Sequence, residues 1–217
     1  MQTPRGSRPG PVESRDAPSR GPGAAETGAP LVMFLGDSLT AGLGLPQEQA
    51  YPALVGSRLE EAGEPVRVVN AGVSGDTTAG GLRRLDWLLQ QRPDVLVVAL
   101  GANDGLRGLP PEEAKRNLRA IVRRGREAGC EVVLCGMMIP TSYGRDYFRE
   151  FAGIYPALAR DMDVPFVPFL LDGVGGVPER NQPDGIHPTA EGQRRMAENL
   201  LPTLREALQR RASLPRR

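Results

Sequence analysis

The chain has 217 residues, with 27 basic and 26 acidic side chains and a formal net charge of +1. Apolar residues make up 40% and charged residues 24%, which is typical of a globular protein with one domain and a tail. This balance supplies no field that would attract nucleic acid or an anionic membrane, and no apolar run approaches the roughly 20 residues that span a bilayer. We therefore expect neither a nucleic-acid partner nor an integral membrane segment.

The first 30 residues carry six prolines and five glycines and lack Leu, Ile, Phe, Tyr and Trp. Such a segment cannot bury enough apolar surface to offset its chain entropy, so we predict a disordered tail over 1–30. The folded domain is then predicted over 31–212, and a basic tail over 213–217. The first 30 residues also lack the apolar core of a signal peptide. They are interpreted as an inert tail or linker, or as the spacer of a membrane anchor if a leader has been removed.

From residue 31 onwards, apolar strand-like runs alternate with helix-like segments. The strand-like runs are 31–35, 66–69, 95–100, 131–135 and 164–170. The helix-like segments are 47–62, 77–91, 111–128, 144–161 and 189–211, the last of which we expect Pro202 to kink or split. Alternation of this kind, with continuous apolar strands, favours a parallel sheet covered on both faces. We predict an α/β fold: a doubly wound, three-layer α/β/α sandwich with five parallel strands.

Polar and glycine residues follow four of the predicted strands. Ser38 follows the first strand, Gly75 the second and Asn103 the third, while Asp184 and His187 follow the fifth. Ligand sites of doubly wound sheets lie beyond the carboxyl ends of the strands. All five residues are therefore expected at the same edge of the sheet.

The chemistry of these residues indicates a serine hydrolase. Ser38 needs a base to become nucleophilic, and His187, the only histidine of the chain, can supply it. Asp184 lies three residues before His187 and can hold the imidazole in the required tautomer. Taken singly, Ser38 is also typical of a helix cap and Asn103 of a residue that holds its own turn, but their shared edge favours catalysis.

Four segments resemble the conserved blocks of the GDSL, or SGNH, hydrolases: Gly36-Asp37-Ser38, Gly75, Gly101-Ala102-Asn103-Asp104 and Asp184-Gly185-Ile186-His187. Ala102 departs from the glycine of many relatives. The resemblance runs from about residue 31 to the last helix. The surroundings are most similar to the bacterial thioesterase I, lysophospholipase and arylesterase subgroup, on the strings at 39–46, 49–54 and 103–108.

The resemblance implies a role for each residue. Ser38 Oγ would attack the acyl carbonyl, His187 would move the proton, and Asp184 would stabilise the imidazolium. The oxyanion hole would consist of the Ser38 and Gly75 backbone N–H groups and the Asn103 side-chain amide. The implied fold is the flavodoxin-like fold of this family, and the implied compartment is periplasmic or extracellular if a leader was removed, and otherwise cytoplasmic.

The predicted function is a serine esterase that hydrolyses aryl or short-to-medium acyl esters through an acyl-enzyme on Ser38. Thioesters and lysophospholipids share this route and are further candidate substrates. The alternatives are a carbohydrate O-deacetylase, a non-catalytic nucleotide-binding module and an interaction domain on the same fold. Nucleotide binding is disfavoured because Gly42-Leu43-Gly44 lacks a third glycine and the chain has no P-loop.

No cofactor and no metal are expected. One histidine and two separated cysteines, Cys130 and Cys135, do not make a zinc site. The cysteines also lie too far apart along a predicted strand to form a disulfide. The oligomeric state is left open by the sequence.

Overall fold

A computed structural model describes residues 28–213 of the chain. Its centre is a five-stranded parallel sheet in the order β2-β1-β3-β4-β5. The strands are β1 Leu31–Gly36, β2 Arg67–Gly72, β3 Val95–Ala99, β4 Glu131–Cys135 and β5 Phe166–Val167. The predicted doubly wound α/β sandwich is confirmed.

Helices connect the strands, as the alternating pattern predicts. They are α1 Ser38–Ala41, α2 Tyr51–Glu61, α3 Thr78–Leu89, α4 Ala102–Leu106, α5 Pro111–Glu127, α6 Arg145–Met162 and α7 Ala190–Ala212. Short 3-10 turns occur at Gln47–Gln49, Thr141–Tyr143 and Pro178–Arg180. None of the helices in the described part of the chain is long and apolar enough to cross a membrane.

The core lies on both faces of the three central strands. Every residue of β1 and β3 is buried, and so are four of the five residues of β4. Gly36, the last residue of β1, pairs with Gly72 of β2 and with Ala99 of β3. The carboxyl ends of β1, β2 and β3 therefore lie at the same level of the sheet, and the loops that follow them start side by side.

Three predicted elements differ in the structure. β5 has two residues instead of seven, because Pro165 and Pro168 flank it and proline donates no ladder hydrogen bond. The helix predicted over 47–62 begins only at Tyr51, after a 3-10 turn. Pro202 does not split the last helix: it lies on the exposed face of α7, while its neighbour Leu201 is buried in the core.

Both chain ends reach beyond the described residues. Of the predicted tail over 1–30, residues 1–27 lie outside the described part, and so do 214–217 of the predicted tail over 213–217. Ala29 and Pro30 lie beside β2, where their carbonyls accept hydrogen bonds from Arg67 Nε and Arg67 N at 3.3 and 2.9 Å. The domain boundaries stay a prediction.

Candidate active site

Ser38 is the first residue of α1, directly after β1. The N-cap of this short helix is Asp37, whose Oδ1 accepts a hydrogen bond from Leu39 N at 3.0 Å. Because Asp37 supplies the cap, the Ser38 hydroxyl is not used for capping and is directed elsewhere. As the first helical residue, Ser38 also presents a backbone N–H without a partner inside the helix.

The three residues predicted for the triad form one continuous series of hydrogen bonds. His187 Nε2 lies 2.9 Å from Ser38 Oγ, and His187 Nδ1 lies 2.7 Å from Asp184 Oδ2. An ionised carboxylate only accepts, so Nδ1 carries the proton and Nε2 accepts from the Ser38 hydroxyl. The structure thus brings together residues that are 149 positions apart.

Asp184 is held in place by the turn that carries His187. Its Oδ1 accepts from the backbone N–H groups of Ile186 and His187, each at 3.0 Å. Gly185, which directly follows Asp184, adopts a left-handed φ of 76° in this turn. The hydrogen bonds from the His187 backbone and side chain, followed by that from Ile186, lower the pKa of Asp184 to about 2. The carboxylate therefore stays ionised at neutral pH.

Gln182 fixes the His187 turn to the rest of the site. Its backbone N–H donates to His187 O at 2.7 Å, and its side-chain Nε2 donates to Pro188 O at 3.0 Å and to Leu43 O at 2.7 Å. The turn is thereby tied to the loop after α1. No local sequence pattern indicates this role, since the contact to Leu43 spans 139 residues.

Gly75 lies in the loop after β2, as predicted. Its φ of 79° is left-handed, and its carbonyl accepts from Arg107 Nη2 at 2.8 Å. Among residues 28–213, no group accepts a hydrogen bond from the Gly75 N–H. Gly75 lines the same cavity as Ser38 and His187, so this donor is available beside the serine.

Asn103 bridges the ends of three strands. Its Nδ2 donates to Asp76 O at 2.9 Å and to Asp37 Oδ2 at 3.3 Å. Both neighbours are acceptors, which fixes the amide with its nitrogen toward them. Asn103 therefore connects the loops after β1, β2 and β3, instead of forming the local turn that was the alternative interpretation.

Two further aspartates support these loops. Asp37 is buried, and burial is the largest cause that raises its pKa, to about 6. Asp104 accepts from Thr78 N at 2.8 Å and from Thr78 Oγ1 at 2.6 Å, which attaches the start of α3 to α4. Neither carboxylate is hydrogen-bonded to Ser38 Oγ or to the His187 ring among the described residues.

The GDSL-like Lipase/Acylhydrolase family matches residues 34–195 of this chain. The chain belongs to this family. It is 44% identical over 184 residues to the esterase TesA of Pseudomonas aeruginosa, covering 84% of this chain and 92% of that protein. It is 42% identical over 166 residues to thioesterase 1/protease 1/lysophospholipase L1 of Escherichia coli K12, covering 76% of this chain and 78% of that protein.

A solved structure, the crystal structure of TesA, is similar to this GDSL-like hydrolase across the fold. The TM-score is 0.79 at 44% sequence identity, and the match covers 82% of this chain and 99% of that one. The family resemblance that the sequence motifs indicate is therefore confirmed, and the nucleotide-binding interpretation is set aside.

In this GDSL-like hydrolase a cavity of about 550 Å³ opens at Ser38, and Gly75, Asn103 and His187 line it too. Most of its other lining residues are apolar: Leu39, Leu43, Ala102, Leu106, Met138, Ile139, Pro140, Phe148, Phe169, Leu171 and Ile186. The sequence favours packing over recognition for Met137 and Met138. Met137 is buried, but Met138 is 42% exposed and lines the cavity.

Side chains that bind metals do not cluster in the described part of the chain, where no group of three or more His, Cys, Asp and Glu could hold an ion. Cys130 and Cys135 are both buried and free. Burial raises the pKa of Cys135 to about 12, so this thiol stays protonated at neutral pH.

Proposed function

We propose that this GDSL-like hydrolase is a serine esterase that cleaves carboxylic esters through an acyl-enzyme on Ser38. The observation that carries the proposal is the series Ser38 Oγ, His187 Nε2, His187 Nδ1 and Asp184 Oδ2, with distances of 2.9 and 2.7 Å. Nucleophile, base and orienting acid within hydrogen-bond reach are what serine acyl transfer needs. Relatives named esterase and thioesterase/lysophospholipase support the same reaction class.

Acylation begins with attack of Ser38 Oγ on the ester carbonyl carbon. As the O–C bond forms, His187 Nε2 takes the hydroxyl proton, and the imidazolium is stabilised by the ionised Asp184. The tetrahedral intermediate then collapses and the bond to the leaving alcohol breaks. His187 gives its proton to that oxygen, so the alcohol leaves neutral and Ser38 carries the acyl group.

Deacylation repeats the same steps with water as the nucleophile. His187 accepts a proton from the water as it attacks the acyl carbonyl, and returns it to Ser38 Oγ as the intermediate collapses. The products are the carboxylic acid and the free enzyme. Among the side chains of the site, only Ser38 and His187 change their protonation state, while Asp184 stays ionised throughout.

The negative charge on the carbonyl oxygen needs donors that are already in place. We assign the Ser38 and Gly75 backbone N–H groups and the Asn103 amide to this role. Asn103 Nδ2 keeps its shorter hydrogen bond to Asp76 O, at 2.9 Å, while the 3.3 Å contact to Asp37 is the weaker one. The N–H of that weaker contact is the one left available to the oxyanion, while the amide itself stays in place.

The cavity favours an acyl chain over a sugar as the neighbour of the reacting carbonyl. Its wall beyond the triad is built mainly from apolar side chains such as Ile139, Phe148 and Phe169. Each buried CH₂ group contributes about 0.8 kcal/mol, whereas sugar hydroxyls placed against such a wall would lose hydrogen bonds. Aryl and short-to-medium acyl esters are the proposed substrates, with acyl thioesters and lysophospholipids as further candidates on the same route.

The test is a substrate series measured on the wild type and two serine variants. p-Nitrophenyl esters of rising acyl length are compared with an acyl-CoA and lysophosphatidylcholine. We expect kcat/KM to rise a few-fold per CH₂ from acetyl toward a medium chain, because the apolar wall binds the chain. Ser38→Ala is expected to lose on the order of 10³-fold or more in kcat with an unchanged circular dichroism spectrum.

Ser57→Ala, an exposed serine on α2, is the matched control and should keep wild-type rates. Hydrolysis by folded Ser38→Ala at a rate near that of the wild type would refute the proposal. A maximum at the acetyl ester, with acetylated sugars as better substrates, would favour the carbohydrate O-deacetylase instead.

A further inference from the structure

Arg84 of α3 points its guanidinium at the carboxyl ends of two strands. Its Nη1 donates to Ala71 O of β2 at 2.7 Å, and its Nη2 donates to Gly36 O of β1 at 2.9 Å. Its Nε donates to Asp76 Oδ2 at 2.8 Å, and this ion pair is largely buried, with side-chain exposures of 22% and 11%. One side chain thus holds two strand ends and the loop between β2 and α3.

On one side, these contacts reach the segment that carries the nucleophile. Gly36 comes two residues before Ser38, and its carbonyl accepts from both Arg84 and Val73 N, the latter at 3.0 Å. The loop after β2 is therefore joined to the end of β1 at the point where the chain turns into α1.

On the other side, the contacts reach the proposed oxyanion donors. Asp76 directly follows Gly75, and Asp76 O accepts the hydrogen bond from Asn103 Nδ2 at 2.9 Å. The residue whose carboxylate Arg84 holds is therefore the one whose backbone adjoins Gly75 and accepts from Asn103. Arg84 is the only cation that pairs with Asp76 among the described residues.

We propose that Arg84 is a positioning residue for hydrolysis, whose guanidinium holds Gly75–Asp76 where the Gly75 N–H and the Asn103 amide can stabilise the oxyanion. The inference rests on the proposed function and adds to it a residue that touches neither the substrate nor the triad. Its physical basis is the planar guanidinium, which offers five N–H donors in a fixed fork and can serve three separated acceptors. A lysine presents all its donors from one nitrogen and cannot reach the same three.

Gly80 gives independent support for a fixed Asp76 carboxylate. A Cβ at this position of α3 would lie 1.6 Å from Asp76 Oδ1. Glycine within a helix is less favourable than alanine because it loses more backbone entropy, so a glycine here is unfavourable for α3 itself. Its benefit is the space that lets the Asp76 carboxylate meet Arg84.

The first experiment compares Arg84→Met with Arg83→Met. Arg83 is the exposed neighbour on the same helix and has no ion pair among the described residues, so its variant should keep wild-type kinetics. We expect Arg84→Met to lower kcat about 10- to 100-fold with KM within a few-fold, because donors that are slightly misplaced fail mainly in the transition state. Arg84→Lys should recover part of kcat, since it restores the charge opposite Asp76.

A double-mutant cycle with Asn103→Ala separates positioning from general structural support. If Arg84 acts through the oxyanion donors, removing the Asn103 amide first should make the loss of Arg84 smaller, so the two effects do not multiply. A merely structural role of Arg84 would lower the melting temperature and leave the two effects on kcat multiplicative.

Gly80→Ala keeps the test decisive if Arg84→Met does not fold. The alanine suits the helix, but its methyl group displaces the Asp76 carboxylate, so we expect a folded protein with reduced kcat. Wild-type kcat in folded Gly80→Ala and Arg84→Lys, or multiplicative effects in the cycle, would overturn the inference. An impaired Asn103→Ala beside an unimpaired Arg84→Met overturns this inference alone, whereas a fully active Asn103→Ala overturns the oxyanion assignment together with it.

Discussion

At each edge of the sheet an aspartate carboxylate accepts a backbone hydrogen bond, but the two contacts serve different purposes. At the amino edge, Asp94 Oδ2 accepts from Leu31 N at 2.8 Å, just where β1 begins. At the carboxyl edge, Asp37 Oδ1 accepts from Leu39 N at 3.0 Å, just after β1 ends. Each carboxylate satisfies a backbone N–H at one end of the same strand.

The surroundings of the two carboxylates differ. Asp94 is 30% exposed and pairs with Arg211 at 3.5 Å, so its charge is solvated and compensated. Asp37 is fully buried, and that burial raises its pKa to about 6. At the amino edge a carboxylate stabilises the fold, whereas at the carboxyl edge an unfavourable buried charge is kept beside Ser38. Groups held at a cost beside a cavity are typical of functional sites.

Apart from loss of the proposed nucleophile Ser38, the largest effect at the carboxyl edge is expected from Asn103→Ala. Loss of an oxyanion donor should lower kcat by about 10²–10³-fold, with a much smaller change in KM. Asn117→Ala is the matched control, because that amide also supports the network through Thr78 Oγ1 at 3.1 Å but does not line the cavity. A destabilised Asn103→Ala with near-normal kcat would show that Asn103 supports the fold and not the reaction. This result would weaken the contrast between the two edges of the sheet.

A second prediction concerns the buried charge of Asp37. Its pKa in the folded protein, about 6, lies above the ordinary value of 3.8, so the folded state binds this proton more tightly than the unfolded chain does. The free energy of unfolding should therefore fall as the pH rises through this window, by roughly 3 kcal/mol for the shift. Asp37→Asn lacks the titrating group, so its stability relative to the wild type should rise as the pH rises through this window.

Urea unfolding of both proteins at about pH 4 and about pH 7 measures this difference. Asp146→Asn, which changes a fully exposed carboxylate, serves as the control. If the difference in unfolding free energy between the wild type and Asp37→Asn does not depend on pH, the Asp37 charge does not destabilise the fold.

At the amino edge, Asp94→Ala tests the purely structural contact. Removing an acceptor that is charged should cost about 1–3 kcal/mol of unfolding free energy, because Leu31 N loses its partner. The kinetic constants should stay at wild-type values, since this edge lies away from the cavity. Denaturant unfolding and one ester assay on the same preparation check both statements, and a fall in kcat would contradict the division between the edges.

The smallest effect is expected outside both edges, from Gly153→Ala in α6. Beyond its chain neighbours and the nearby backbone of α6, no atom lies within 4 Å of the position that a Cβ would occupy there, in contrast to Gly80. Replacing glycine by alanine in an open helix position should add about 0.5–1 kcal/mol of stability. Thermal unfolding should show a slightly higher melting temperature with unchanged kcat, and a loss of stability would show that α6 needs the glycine.

The alternation of apolar runs and helix-like segments was sufficient to predict the doubly wound sheet. Periodicity reports which segments are buried, and parallel strands place their carboxyl ends at one edge. The order of motifs then indicated Ser38, Asp184 and His187, because only one histidine is available as a base. These features depend on local pattern and on residue chemistry, which the sequence carries directly.

Other features were decided only by the tertiary structure. Arg84 and Gln182 carry no local pattern, and their partners are set by packing between elements up to 139 residues apart. The two-residue length of β5 and the exposure of Met138 at the cavity likewise depend on which neighbours reach them. A hydrogen bond to a distant backbone carbonyl has no periodicity, so the sequence determined the fold and the candidate reacting groups, while the structure decided what holds them in place.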